Sequence, residues 1–71
     1  MDNKIKNMSS GKALRIYLDI IDGFISYGSD EIIYLNYPGG LDIFDNYRDL
    51  IWNVKYNLNE LKKDGVNCEE F

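Results

Sequence analysis

Chemistry has few side chains to work with in this chain of 71 residues, which contains no histidine and a single cysteine. Without histidine there is no imidazole base, no His-assisted nucleophile and no His metal ligand, so carboxylates would have to carry any reaction. Asp42, Asp45 and Asp49 recur at steps of three and four, the spacing of one helix edge, where three hard oxygen donors suit Mg²⁺. Acidic residues in the first turns of a helix also complement its dipole, and that reading is preferred. Glu60-Leu61-Lys62 has the Glu-x-Lys form of some metal-dependent nucleases but lacks the preceding strand and acidic partner. Ser9-Ser10-Gly11-Lys12 ends like a phosphate-binding loop, yet the earlier glycine, the strand before it and the Ser or Thr after it are absent. No catalytic residue, metal or cofactor is expected.

Trp52 and Tyr56 stand differently. They lie one helical turn apart, on the side of a helix opposite its apolar stripe, with Asp45, Asp49 and Glu60 around them. Large aromatics on the back of a core-facing helix are the residues that most often anchor interfaces, and flanking carboxylates would steer a basic surface towards them. Against this stand two plainer readings, in which the pair packs on the chain's own N-terminal arm or Arg48 stacks on Trp52.

The element that positions this pair is a long amphipathic helix over residues 42–64. Phe44, Tyr47, Ile51, Val54, Leu58 and Leu61 form its stripe, widened by Ile43 and Leu50. Asp42 is the expected N-cap, Lys62 and Lys63 fall in the last turn, and Gly65 is placed for a left-handed stop.

Residues 10–27 admit two readings. As a helix capped by Ser10, the segment confines Lys12, Arg15, Asp19, Asp22 and Ser26 to one polar arc. As strands, Leu14, Ile16, Leu18 and Ile20 alternate inward, Asp22-Gly23 turns the chain, and Ile25, Tyr27, Ile33, Leu35 and Tyr37 extend the same face of a three-stranded meander. That meander would show Tyr17, Ile21, Phe24, Ile32 and Tyr34 to water, a patch too apolar for a free monomer, and the chain has no Thr for a half-exposed sheet. The helix is preferred, with Gly23 costing about 1 kcal/mol inside it. Residues 30–37, opened by Ser29-Asp30-Glu31 and ended by Pro38, form a short helix or a strand. The expected fold is mostly α, two long helices (about 10–27 and 42–64) around that short element. The alternative is α+β, a three-stranded meander followed by one helix. Residues 1–9 are expected as a flexible arm, 10–65 as one domain, and 66–71, with an inert Cys68, as a flexible tail.

Twelve acidic and eight basic residues give a net charge of −4, which disfavours direct contact with nucleic acid and favours a basic partner. The chain has no cysteine framework, no signal-peptide core and no run approaching a membrane span, so a soluble, cytoplasmic protein is expected.

Gly28-Ser29-Asp30-Glu31-Ile32-Ile33-Tyr34, followed by Pro38 and a long Trp-containing helix, resembles the short third helix and the fourth helix of colicin-type nuclease immunity proteins. The resemblance implies a small acidic helical inhibitor of a bacterial nuclease, touching its target through Asp30, Tyr34 and Tyr37. The chain is shorter than that family's, and its Tyr-Tyr-Pro run is replaced by Tyr34-Leu35-Asn36-Tyr37-Pro38. In general style the chain is also similar to small phage proteins that block host defence nucleases, such as anti-CRISPR proteins. The expected function is a non-enzymatic inhibitor of a basic or nucleic-acid-handling enzyme, with Trp52, Tyr56, Asp45, Asp49, Asp30 and Tyr34 as its contacts. The alternative is a structural or regulatory homo-oligomer, most simply a homodimer, whose aromatics are consumed in its own interface.

Overall fold

A computed structural model describes residues 2–68. The chain runs α1 (Asn3–Lys6), α2 (Ser10–Ile21), β1 (Phe24–Tyr27), β2 (Ile33–Tyr37), β3 (Gly40–Phe44) and α3 (Tyr47–Lys63), and the strands form one antiparallel sheet in the order β1-β2-β3. This is a mixed α+β fold, not the expected bundle of two long helices.

The helical reading of the first segment holds only as far as Ile21. Ser9, one residue before the expected cap, accepts from the Lys12 N–H through its Oγ at 3.3 Å, and Ala13 and Ile16 bury the apolar side. Asp22 then turns left-handed at φ 56°, and Gly23 donates to Leu18 O at 2.9 Å. Gly23 passes so close to β2 that a Cβ there would sit 2.7 Å from Asn36 O, so the chain leaves the helix at a residue without a side chain.

Ser29-Asp30-Glu31, readable as a helix start, instead closes the β1–β2 hairpin. Ile32 donates to Ser29 O at 3.2 Å, with Asp30 and Glu31 both left-handed at φ 56° and 65°. Two left-handed central residues make a type I′ turn, whose twist matches that of paired strands. The segment that carries the immunity-protein resemblance is therefore a hairpin here. Pro38-Gly39 makes the second turn, joining Tyr37 to Gly40.

The long helix begins five residues later than expected. Asn46 is its N-cap, accepting from the Asp49 N–H through Oδ1 at 2.8 Å, while Asp42 lies in β3 opposite Leu35. Phe44 is also in β3, and its spacing from Ile51 and Val54 is a coincidence of register. The far end is as expected: Gly65 has φ 91°, and Val66 donates to Leu61 O at 3.0 Å.

Both ends of the described chain join the core instead of fraying. Ile5 and Met8 are buried, Asp2 accepts from Lys62 Nζ at 3.0 Å and donates its N–H to Asn59 Oδ1 at 2.8 Å, and these bonds clip α1 to α3. The hydrogen bonds to Lys62, then to the Ile5 and Lys4 N–H groups, hold the Asp2 carboxyl below its ordinary value against the opposing effect of burial. Cys68 is a buried thiol whose Sγ donates to Leu58 O at 3.4 Å. Met1 and residues 69–71 of the expected arm and tail lie outside the described residues.

Ile5, Ala13, Ile16, Ile33, Leu35, Leu50, Val54, Leu58 and Cys68 form one core between the helices and a single face of the sheet. Among the described residues no helix is long and apolar enough to cross a membrane.

Candidate functional site

Residues paired across strands share a face, so the register sorts the sheet into two sides. Ile25, Leu35 and Asp42 lie on the helix side, as do Tyr27, Ile33 and Phe44. The outer side carries Phe24, Asn36 and Leu41 in one row and Ser26, Tyr34 and Ile43 in the next.

That outer side is apolar and bears no charge. Phe24, Leu41 and Ile43 are 62%, 50% and 60% exposed, and Tyr34 is half-buried, its ring lying where a Cβ on Gly28 would meet it at 2.7 Å. Two of its polar side chains bond to each other, Asn36 Nδ2 donating to Ser26 Oγ at 2.9 Å, which lowers the cost of removing water from them.

β3 is dressed inside out for a free monomer. Leu41 and Ile43 point outward, while Asp42 points to the helix side, accepting from Tyr37 OH at 3.3 Å at the open edge of the sheet. Tyr17 of α2 belongs to the same corner. Burial first, then the Asp42 charge, raises the phenols of both Tyr17 and Tyr37 above their ordinary value.

α3 presents the second exposed face. Trp52 and Tyr56 stack with ring centroids 5.5 Å apart and planes 11° from parallel, and they are 63% and 46% exposed. At about 100° per residue, Asp49 and Glu60 fall on the Tyr56 side of this seam, and Arg48 and Lys55 on the Trp52 side. One groove of about 340 Å³ is lined by Asn3, Lys6, Trp52 and Lys55. A second, of about 380 Å³, is lined by Ser10, Tyr47, Arg48, Ile51, Trp52 and Lys55. The surroundings expected to be acidic are thus half cationic.

The six expected contact residues are divided between faces. Trp52, Tyr56 and Asp49 share α3, although Asp49 also accepts from its cap, Asn46 Nδ2, at 3.2 Å. Asp45 lies in the link before α3, Asp30 at the hairpin tip, and Tyr34 on the outer sheet face. Asp42, Asp45 and Asp49 do not share a helix edge, and among the described residues no group of three or more metal-ligating side chains is placed to hold an ion. In the sequence, Leu41, Lys6 and Lys55 carry no functional signal, Ile43 reads as part of the helix stripe, and Arg48 reads as a stacking partner for Trp52. The available signal was the run Leu41-Asp42-Ile43 directly after Pro38-Gly39-Gly40, a strand pattern following a turn.

No family model matches this chain, and neither a curated protein nor a solved structure matches it.

Proposed function

We propose that this chain is a small, non-enzymatic structural or regulatory protein of the cytoplasm that works as a homodimer, pairing two copies through the outer faces of their sheets. One observation carries the reading: β3 turns Leu41 and Ile43 outward and Asp42 inward, completing a charge-free apolar face with Phe24 and Tyr34. A one-residue slip of β3 would turn those aliphatics to the helix side and the carboxylate outward, so a register held the other way calls for a cover on the outside.

The neutrality of the face favours a second copy over a basic partner. Two chains of net charge −4 repel at a distance, and they meet at least cost where neither presents a carboxylate. The inhibitor reading, by contrast, needs carboxylates around Trp52, where cations occupy one flank. A buried reduced Cys68 suits a reducing compartment.

Size sets the strength of the contact. Three strands about 4.8 Å apart and four or five residues long give a face of about 14 by 16 Å, smaller than a standard interface, so the dimer is reversible and concentration-dependent. Analytical ultracentrifugation between about 10 and 500 μM, a range spanning weak interfaces, should show a monomer–dimer equilibrium that Ile43→Asp abolishes with an unchanged circular dichroism spectrum. A wild-type chain that stays monomeric throughout, or a dimer indifferent to Ile43→Asp, would overturn the reading.

A further inference from the structure

The α3 face supports a separate inference that does not depend on the dimer. Tyr56 covers one side of the Trp52 indole, yet Trp52 remains 63% exposed, so its other side is open to solvent. Three of the eight basic residues, Lys6, Arg48 and Lys55, line the grooves beside it, in a chain whose net charge is negative. None of the three forms an ion pair among the described residues, and no carboxylate lines either groove. Lys55 is held in place by donating to Lys6 O at 3.0 Å, at the C-terminal end of α1.

An open aromatic plane bordered by unpaired cations is complementary to a ligand with a flat ring and a compact anion. We propose that this face binds a free mononucleotide, the base stacking on the open side of Trp52 and the phosphate held by Lys55 with Lys6 or Arg48. Stacking needs only the π-face of the base, so purines, with the larger rings, bind best. Ammonium and guanidinium groups donate to phosphate oxygens through charge-assisted hydrogen bonds. The grooves, at about 340 and 380 Å³, lie within the size range of small-molecule sites.

A single strand of nucleic acid fits less well. It needs successive stacking planes along a cationic track, whereas Tyr56 is already stacked with Asp49 and Glu60 beside it, which leaves Trp52 and, on the rim of the second groove, Tyr47. Repulsion from the net negative chain also grows with each added phosphate.

Trp52 is the only tryptophan, so its fluorescence reports this site alone. The 71-residue chain should be titrated with adenosine 5′-monophosphate, adenosine, inorganic phosphate and an oligothymidylate. The monophosphate should give saturable quenching with half-saturation at about a millimolar or below, and adenosine should bind at least about tenfold more weakly. Lys55→Ala, and the double change Lys6→Ala with Arg48→Ala, all at exposed or half-exposed positions, should weaken the monophosphate severalfold with unchanged circular dichroism. Absence of saturable quenching, equal affinity for adenosine and its monophosphate, or tighter binding of the oligonucleotide would each overturn the proposal.

Discussion

The two faces of the sheet share three strands and a backbone, yet they are finished in opposite ways. On β2 the alternation is ordinary: Ile33 and Leu35 are buried under the helices, and Tyr34 and Asn36 face out. On β3, before Phe44 returns to the helix side, the alternation is reversed, with Leu41 and Ile43 out and Asp42 in. The helix layer explains part of the contrast, because α2 and α3 cover the central strand fully while leaving the Asp42 edge open to water. Asp42 can face inward because it stays at that open edge and accepts from Tyr37 OH. The outward aliphatics have no such local account. Inner-face residues therefore serve folding, and under the proposed pairing of two copies the outer-face residues serve what the fold meets.

The sharpest contrast is expected from one methyl-rich side chain on each face. Leu35 is fully buried, so Leu35→Ala should remove about 2–5 kcal/mol of stability by transfer and cavity costs, measured by urea unfolding at low protein concentration. If that substitution costs no more than a surface one, the helix side is not the core.

On the outer face, Leu41→Thr with Ile43→Thr keeps two strand-compatible residues and deletes most of the apolar surface. Under the same dilute conditions the double variant should unfold within about 0.5 kcal/mol of the parent, as exposed substitutions do. At high concentration the parent alone should gain stability, because dimer formation draws on the folded state. A large loss in the dilute monomer would place these side chains in the fold and erase the distinction between faces.

The sequence showed the elements whose signals are local. α2 follows from its polar arc and serine cap, and the body and end of α3 follow from Ile51, Val54, Leu58 and Gly65. β1 and β2 were legible in the alternative reading, which put Ile25, Tyr27, Ile33, Leu35 and Tyr37 on one face, but chemistry that imitates helices outweighed it. Ser29-Asp30-Glu31 has the composition of a helix start, and Asp30 and Glu31 take the left-handed positions that Asn-Gly would have advertised. Asp22 does the same at the end of α2, where a glycine at that position would have marked the stop. Phe44 and Tyr47 fall in step with the α3 stripe, which moved the apparent helix start back through β3. Of the candidate site, the Trp52–Tyr56 pair was visible because both residues lie on one continuous helix. Lys6 reaches the same groove from α1. The outer sheet face joins positions from Phe24 to Ile43, and only the strand register brings them together.

The smallest expected effect tests that register directly. Tyr17 and Tyr37 face Asp42 on the helix side, and burial together with its negative charge raises both phenols above 10.0. A tyrosine whose folded pKa lies above its unfolded value binds its proton more tightly when folded. The stabilisation it contributes is complete below the unfolded pKa, near 10, and is lost as pH rises through the higher folded value. Asp42→Asn removes the charge while retaining an oxygen that can accept from Tyr37 OH. Absorbance titration of tyrosinate should then show the late-ionising phenols moving towards their ordinary value, although not reaching it, since burial remains the larger cause. Stability below pH 9 should change little, because neutral phenols meet no repulsion from Asp42 in that range. Were β3 paired one residue out of register, Asp42 would point away from both rings and the substitution would leave the titration untouched.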